Sequence, residues 1–477
     1  MCPSQRLAAE VSPLDLVHRA GQLLAILPNL PSSKAHEQLS AAPDLPATLH
    51  ALVSILGRNQ DQQDDAYSQL EAAYGLIHDL KWEDEFEERE QLLSSVAFLM
   101  WNCCRRYRSY PETLRWESRV LEHVQEQTPT RDFLALEPSE LSGDVLGRFL
   151  ADPAVLLAVW GNIELKANQN PDRTLKAAGA IWVWLTSHRR EVAGDDETVA
   201  YFEGRLALTL AMASAHVGKG REWEVWFSKA KLSLESVQNP GPYLAMVEFN
   251  RLGRLYIRRR YAEVVEQSGP LIERFRTLSM PAHELKVSFV LANSLKDGSY
   301  PAQQTLKVFK DTYRAAVRMG NVMLSASLAS GLAQLHGKAG NQLLADCYAV
   351  LGLRLAERAA CPWVSAYAIS TRGELLRDRG AYLEAVNAYR AGAQVYAESH
   401  MYPFVAYTRV IIAETLLIAG REGDAIGELL LALPIIERES LIEEAEASVW
   451  LMRQAIKQRG IRPSMLRDLR ERLAPPQ

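Results

Sequence analysis

The stretch Tyr367–Ala397, YAISTRGELLRDRGAYLEAVNAYRAGAQVYA, decides the fold. Its apolar and small residues recur at three- and four-residue spacing, the period of a helix face rather than of a strand. Ile369, Gly373 and Leu376 fall on one stripe of a first helix, and Ala385, Tyr389 and Gly392 on one stripe of a second. Gly380 stands between them, where a residue without a Cβ can take the left-handed conformation that ends a helix. Small residues at 373, 385 and 392 let two antiparallel helices, and the first helix of the next unit, approach closely, while Tyr382 and Tyr389 fill the gaps.

The register returns forty residues to either side. Gly340, Gly380 and Gly420 are preceded seven residues earlier by Ala333, Gly373 and Ala413. They are followed after five by Ala345, Ala385 and Ala425, and after twelve by Gly352, Gly392 and Ala432. A fixed period in this range implies stacked supersecondary units, and hence recognition along a surface rather than chemistry in a pocket. Ala349 and Leu429 complete the pattern in the outer two units.

These residues resemble the tetratricopeptide repeat. That pattern places a small residue in the first helix, glycine at the turn, alanine early in the second helix, then an aromatic and a small residue. The resemblance implies an all-α, right-handed superhelical solenoid of antiparallel helix pairs, of the bacterial type. The period exceeds the family's usual thirty-four or so. Pro362 and Pro403, standing where new first helices should begin, predict that the extra residues lengthen helices and not loops.

The signal weakens toward the N-terminus. Leu252, Gly253 and Tyr256 with Tyr261 and Val264 read as one unit, and Ala211, Gly218, Phe227 and Ala230 as another. Trp160 and Gly161 before the Asn168–Pro171 turn begin a third, and Ala66, Leu70 and Ala73 have the spacing of a second helix. The expected organisation is a helical region of degenerate pairs at 1–126, a linker or functional loop at 127–150, a solenoid at 151–450 and a basic capping helix at 451–477. The clearest repeats span 324–440.

Bulk composition narrows the function. The chain has 477 residues, 48% of them hydrophobic, and a formal charge of −5, which gives no global reason to expect a nucleic-acid partner. No basic leader precedes an apolar run and nowhere do eighteen apolar residues follow one another, so a cytoplasmic protein without a membrane partner is expected. Five cysteines, at 2, 103, 104, 347 and 361, are too thinly spread for a disulfide framework and fit a reducing compartment.

Chemical motifs are missing. The ten histidines are scattered, with no His-Glu-x-x-His or Cys-x-x-Cys arrangement. Gly218–Gly220 lacks the earlier glycine of a phosphate loop, since Ala213 stands there, and no Ser or Thr follows Lys219. No Gly-x-Ser-x-Gly elbow occurs. The expectation is a protein that is not an enzyme and carries neither cofactor nor metal. The acidic run Trp82–Glu90 reads as a solvated helix face, or as a landing site for a basic patch.

Basic residues are more informative. Arg251, Arg254, Arg258, Arg259 and Arg260 cluster around one first helix, and 254 and 258 share a face. In the resembling family the first helices line the concave groove. Carried over residue by residue, that position falls on Asn250, Arg254 and Arg258, on Tyr367, Ser370, Glu374 and Arg377, and on Tyr407 and Glu414. Such a polar, arginine-rich surface with aromatics suits an extended acidic peptide or a partner's helix. The alternative is that the arginines bridge neighbouring units. In the segment 451–477, seven basic residues face only Asp468 and Glu471. This points either to a solvated capping helix or to a nucleic-acid contact.

The function expected is therefore a scaffold or adaptor that binds a peptide, loop or helix of another protein in its groove and regulates it. A second reading is a signalling or transcription-associated regulator acting on a protease, a sigma factor or nucleic acid. Bacterial regulators of this kind often carry an N-terminal DNA-binding helix-turn-helix, and the first hundred residues show none. An enzyme of unrecognised type is the third. Oligomeric state is not legible in the sequence.

Overall fold

A computed structural model describes residues 63–79, 86–107, 171–189, 196–216, 222–237, 240–399, 401–438 and 460–473, with isolated positions between 112 and 163 and between 452 and 456. The Gly218–Gly220 turn, Trp160, Gly161, the Asn168–Asn170 turn residues, Cys2, and most of 127–150 and of 439–459 lie outside the described residues. Every described element is helical, and none of these helices is long and apolar enough to cross a membrane. The chain divides into two compact units, Met1–Val247 with Phe275–Pro281, and Glu248–Arg274 with Ala282–Gln477.

In the first unit, α1 (Gln63–Asp79) packs on α2 (Phe86–Tyr107), α3 (Pro171–Ser187) on α4 (Asp196–His216), and α4 on α5 (Glu222–Glu235). The stripe read from the sequence is buried: Leu70 and Ala73 on α1, and Ala211, Phe227 and Ala230 between α4 and α5. Lys229 lies 4.2 and 4.1 Å from the ring centroids of Trp182 and Trp226, so cation–π attraction offsets the crowding of a cation against apolar surface. Glu90 ends the acidic run, yet it is buried. Arg89 donates to it at 2.7 Å, and His123 Nδ1 lies 2.6 Å from its other oxygen, with Tyr74 OH 2.7 Å from His123 Nε2. This acid is a core group and not part of a solvated face.

After α6 (Pro240–Ile257), a helix starts about every twenty residues: α7 (Tyr261–Thr277), α8 (Pro281–Asp297), α9 (Ala302–Arg318), α10 (Val322–Lys338), α11 (Gln342–Ala359), α12 (Pro362–Asp378), α13 (Tyr382–Glu398), α14 (Tyr402–Ile418) and α15 (Glu422–Arg438). Each has 17 residues except α11, which has 18. The forty-residue period is thus two equal helices with short turns, and the extra length sits in the helices, as Pro362 and Pro403 at their starts predict. Neighbours α9 to α15 pack pairwise in chain order, and α10 also meets α12. From α9 to α15 the chain is a stack of neighbouring helix pairs, a helical repeat solenoid.

The turn glycines have the geometry their sequence position requires. Gly340, Gly380 and Gly420 have φ of 76°, 77° and 75°, in the region closed to most side chains. At each, two bonds close the helix end; Gly380 N donates to Arg377 O at 3.0 Å and Ala381 N to Leu376 O at 3.0 Å. Inside the stack, a Cβ on Gly352 would meet Ser330 Oγ at 2.7 Å, and one on Gly392 would meet Ser370 Oγ at 2.7 Å. These two contacts are related by the period itself. Ala333, Ala345, Ala385, Ala413, Ala425 and Ala432 are all fully buried.

The final helix, α16 (Pro463–Leu473), lays Leu466, Leu469 and Leu473 on the cluster that holds Ile412, Ala413 and Leu416 of α14. Together with Met452 and Ala455 it covers an apolar face of α14.

Candidate binding surface on the first helices

The forty-residue register brings equivalent side chains of successive first helices into line: Ser294 on α8, Gln334 on α10, Glu374 on α12 and Glu414 on α14, with Arg254 at the same place on α6. Two of them, Gln334 and Glu374, are joined directly, and Lys296 and Tyr367 extend the network. Gln334 Nε2 donates to Glu374 Oε2 at 2.8 Å, while Gln334 Oε1 accepts from Lys296 Nζ at 3.1 Å and from Tyr367 OH at 3.2 Å. Lys296 also stands 3.7 Å from Asp297, which accepts from Tyr256 OH at 2.6 Å. Burial opposes the Lys296 charge, but Asp297, Tyr367 and Glu374 outweigh it and hold the ammonium pKa above its ordinary value. Burial lifts the Glu374 carboxyl above the usual carboxylate range, against the pull of Arg377 and Lys296.

At the C-terminal end, Glu414 is 3% exposed and surrounded by arginines. Arg470 Nη1 donates to it at 2.5 Å, Arg377 lies at 3.6 Å and Arg467 at 3.7 Å. Two of these come from α16, so basic residues of the C-terminal segment are engaged with α14.

Tyr367, Ser370, Glu374 and Tyr407, picked out by register, line one cavity of about 60 Å³. Phe289 and Asn293 of α8, Ser327 of α10, Trp363 of α12, Tyr396 of α13 and Phe404, Thr408 and Ile411 of α14 complete its wall. Burial, and secondarily the nearby Glu374 charge, pushes the Tyr407 phenol up to about 12. Arg377 and Glu414 lie in the ion network just described rather than in the cavity wall.

Asn250 and Arg254 lie on α6, and Arg258 follows it in an exposed turn. Arg254 is 4% exposed, and its guanidinium forms no hydrogen bond or ion pair with a described residue. Its pKa is pushed down to about 10, first by burial and then by the like charge of Arg258. By contrast Arg260 pairs with Glu263, and Arg251 donates to Gln267 at 3.3 Å.

Reading by register missed Lys296, Gln334, Trp363, Tyr396 and Arg470. Gln334 was within reach, since it stands forty residues before Glu374. The others are off the repeated position or come from another helix, and only packing brings them in.

No family model matches the sequence, and no curated protein matches it. Among solved structures, it is similar to aspartyl phosphate phosphatase F from Bacillus subtilis, at 10% identity and a TM-score of 0.48, over 89% of this chain and 94% of that one. It is also similar to a Rap protein complexed with competence and sporulation factor, at 12% identity and 0.40, over 86% and 98%. A third is the APC/C hetero-tetramer Cut9-Hcn1, at 14% and 0.24, over 99% and 98%.

Proposed function

We propose that the first-helix face of the second unit binds an acidic segment of a partner protein, and that the chain is a non-catalytic, cytoplasmic adaptor that regulates that partner. The observation that carries this reading is Arg254. The Arg254 side chain is largely buried and meets no acid among the described residues, and a guanidinium desolvated in that way costs on the order of several kcal/mol, up to the penalty of a broken buried ion pair. A partner carboxylate is the group that offsets it, through charge-assisted and often bidentate hydrogen bonds. Arg258 adds a second positive charge at the solvent edge, and Asn250 a polar side chain one turn before Arg254.

A nucleic-acid role through the C-terminal segment is less well supported, because Arg467 and Arg470 already answer Glu414. The test is selection of a random peptide library on the immobilised full chain, repeated on Arg254→Glu with Arg258→Glu. The reading predicts selected peptides rich in Asp and Glu, whose binding falls at least a hundredfold in the double variant while its circular dichroism stays native. Selected peptides without an acidic bias, or equal binding by the variant, would overturn it.

A further inference from the structure

The cavity beneath Trp363 has a chemistry distinct from that of the Arg254 surface. Six of its twelve lining side chains are aromatic, one is the carboxylate Glu374, and none is Lys or Arg. The ring faces of Trp, Tyr and Phe carry negative electrostatic potential and attract cations, most strongly where water is excluded.

Its polar groups also present acceptors. Glu374 Oε2 takes the Gln334 amide, which leaves Oε1 without a hydrogen bond from a described residue. Asn293 spends its amide N–H on Phe289 O, so its carbonyl oxygen is the atom left over. Ser370 Oγ is buried with no hydrogen-bond partner among the described residues, but it packs against Gly392 of α13 and belongs to that helix contact. A carboxylate oxygen and an amide carbonyl left without donors in a ring-lined cavity mark a place for a polar, cationic ligand. Cations stand near the cavity but outside its wall: Lys296 lies 5.9 Å from the Tyr367 ring and is answered by Asp297 and Gln334, and Arg377 acts on Glu374 while it faces Glu414.

We infer that this cavity is a site for a substituted ammonium group, whose alkyl shell packs on Trp363, Tyr367, Tyr396 and Tyr407 and whose charge is met by Glu374. Its volume suits a head group of a few heavy atoms, not a length of chain. The same chemistry is offered by a free quaternary amine and by a methylated lysine of a partner. The site stands independently of the acidic-partner reading, and loss of acidic-peptide binding would leave it intact.

The test is a calorimetric titration of the full chain with choline, with N-acetyl-trimethyllysine amide and with 3,3-dimethylbutan-1-ol, the uncharged isostere of choline, at constant ionic strength. The expected result is saturable binding of at least one ammonium compound, at least tenfold tighter than the isostere. The tighter of the two ammonium compounds then identifies the source. Glu374→Gln and Tyr407→Leu should each weaken it tenfold or more. Because the isostere comparison uses the unaltered protein, a variant that fails to fold does not rescue the idea. Equal binding of the isostere, or no saturable ammonium binding, overturns it.

Discussion

Gly373 faces the ring of Tyr389 so closely that a Cβ at 373 would lie 2.9 Å from Cε1 and 3.0 Å from Cδ1. Tyr389 is fully buried, so its ring has nowhere to go. Gly373→Ala should therefore destabilise the second unit by about 1–3 kcal/mol through overpacking. Two other glycines give controls of different sign and size. Gly380 has open space but a φ of 77°, so alanine there costs about 1–2 kcal/mol through the backbone alone. Gly427 is an exposed position inside α15 with open space, and alanine should stabilise by about 0.5–1 kcal/mol. Urea denaturation of the three variants checks the order.

Glu414 separates a close ion pair from a loose one on the same carboxylate. Arg470 donates to it at 2.5 Å and is mostly buried, whereas Arg467 lies at 3.7 Å with a side chain 59% exposed. Arg467→Ala should change stability by less than about 0.5 kcal/mol. Glu414→Ala, which strands the guanidinium of Arg470 beside Arg377, should cost about 3 kcal/mol. Near-equal effects of the two substitutions in thermal or urea denaturation would contradict this.

Glu374 imposes a pH dependence of defined sign. Its native pKa lies above its unfolded value, so the native state binds the extra proton and stability falls as pH rises through the interval between the two. Glu374→Gln removes that slope while keeping an acceptor for Gln334. Urea midpoints measured between about pH 4.5 and 7 should shift progressively in favour of the variant as pH increases. A constant difference across the range would sink the assignment.

The fold was legible because backbone and packing constraints repeat in the sequence. Gly380 needs its φ, and Gly373, Ala385 and Gly392 need their small volume, wherever the unit recurs. The register weakens where the same turn is made without glycine. Arg259, Ser299 and Ala360 all adopt positive φ, so no glycine marks those boundaries. The cavity was half legible. Tyr367, Ser370, Glu374 and Tyr407 follow from the register, but Trp363 lies a turn before it, and Tyr396 reaches in from the second helix of the pair. Arg470 was visible as part of a basic segment, yet its partner Glu414 lies 56 residues away, a distance no local pattern encodes.

The central claim is that the Arg254 charge is held for an external acid and does not brace the fold. The melting temperature of Arg254→Met, measured on the isolated protein, tests this most directly. Methionine keeps the apolar stem and removes both a charge that meets no acid among the described residues and its repulsion with Arg258, so the melting temperature should be unchanged or higher. A fall of several degrees would mean that the guanidinium bridges neighbouring units, and the proposed binding role would lose its foundation.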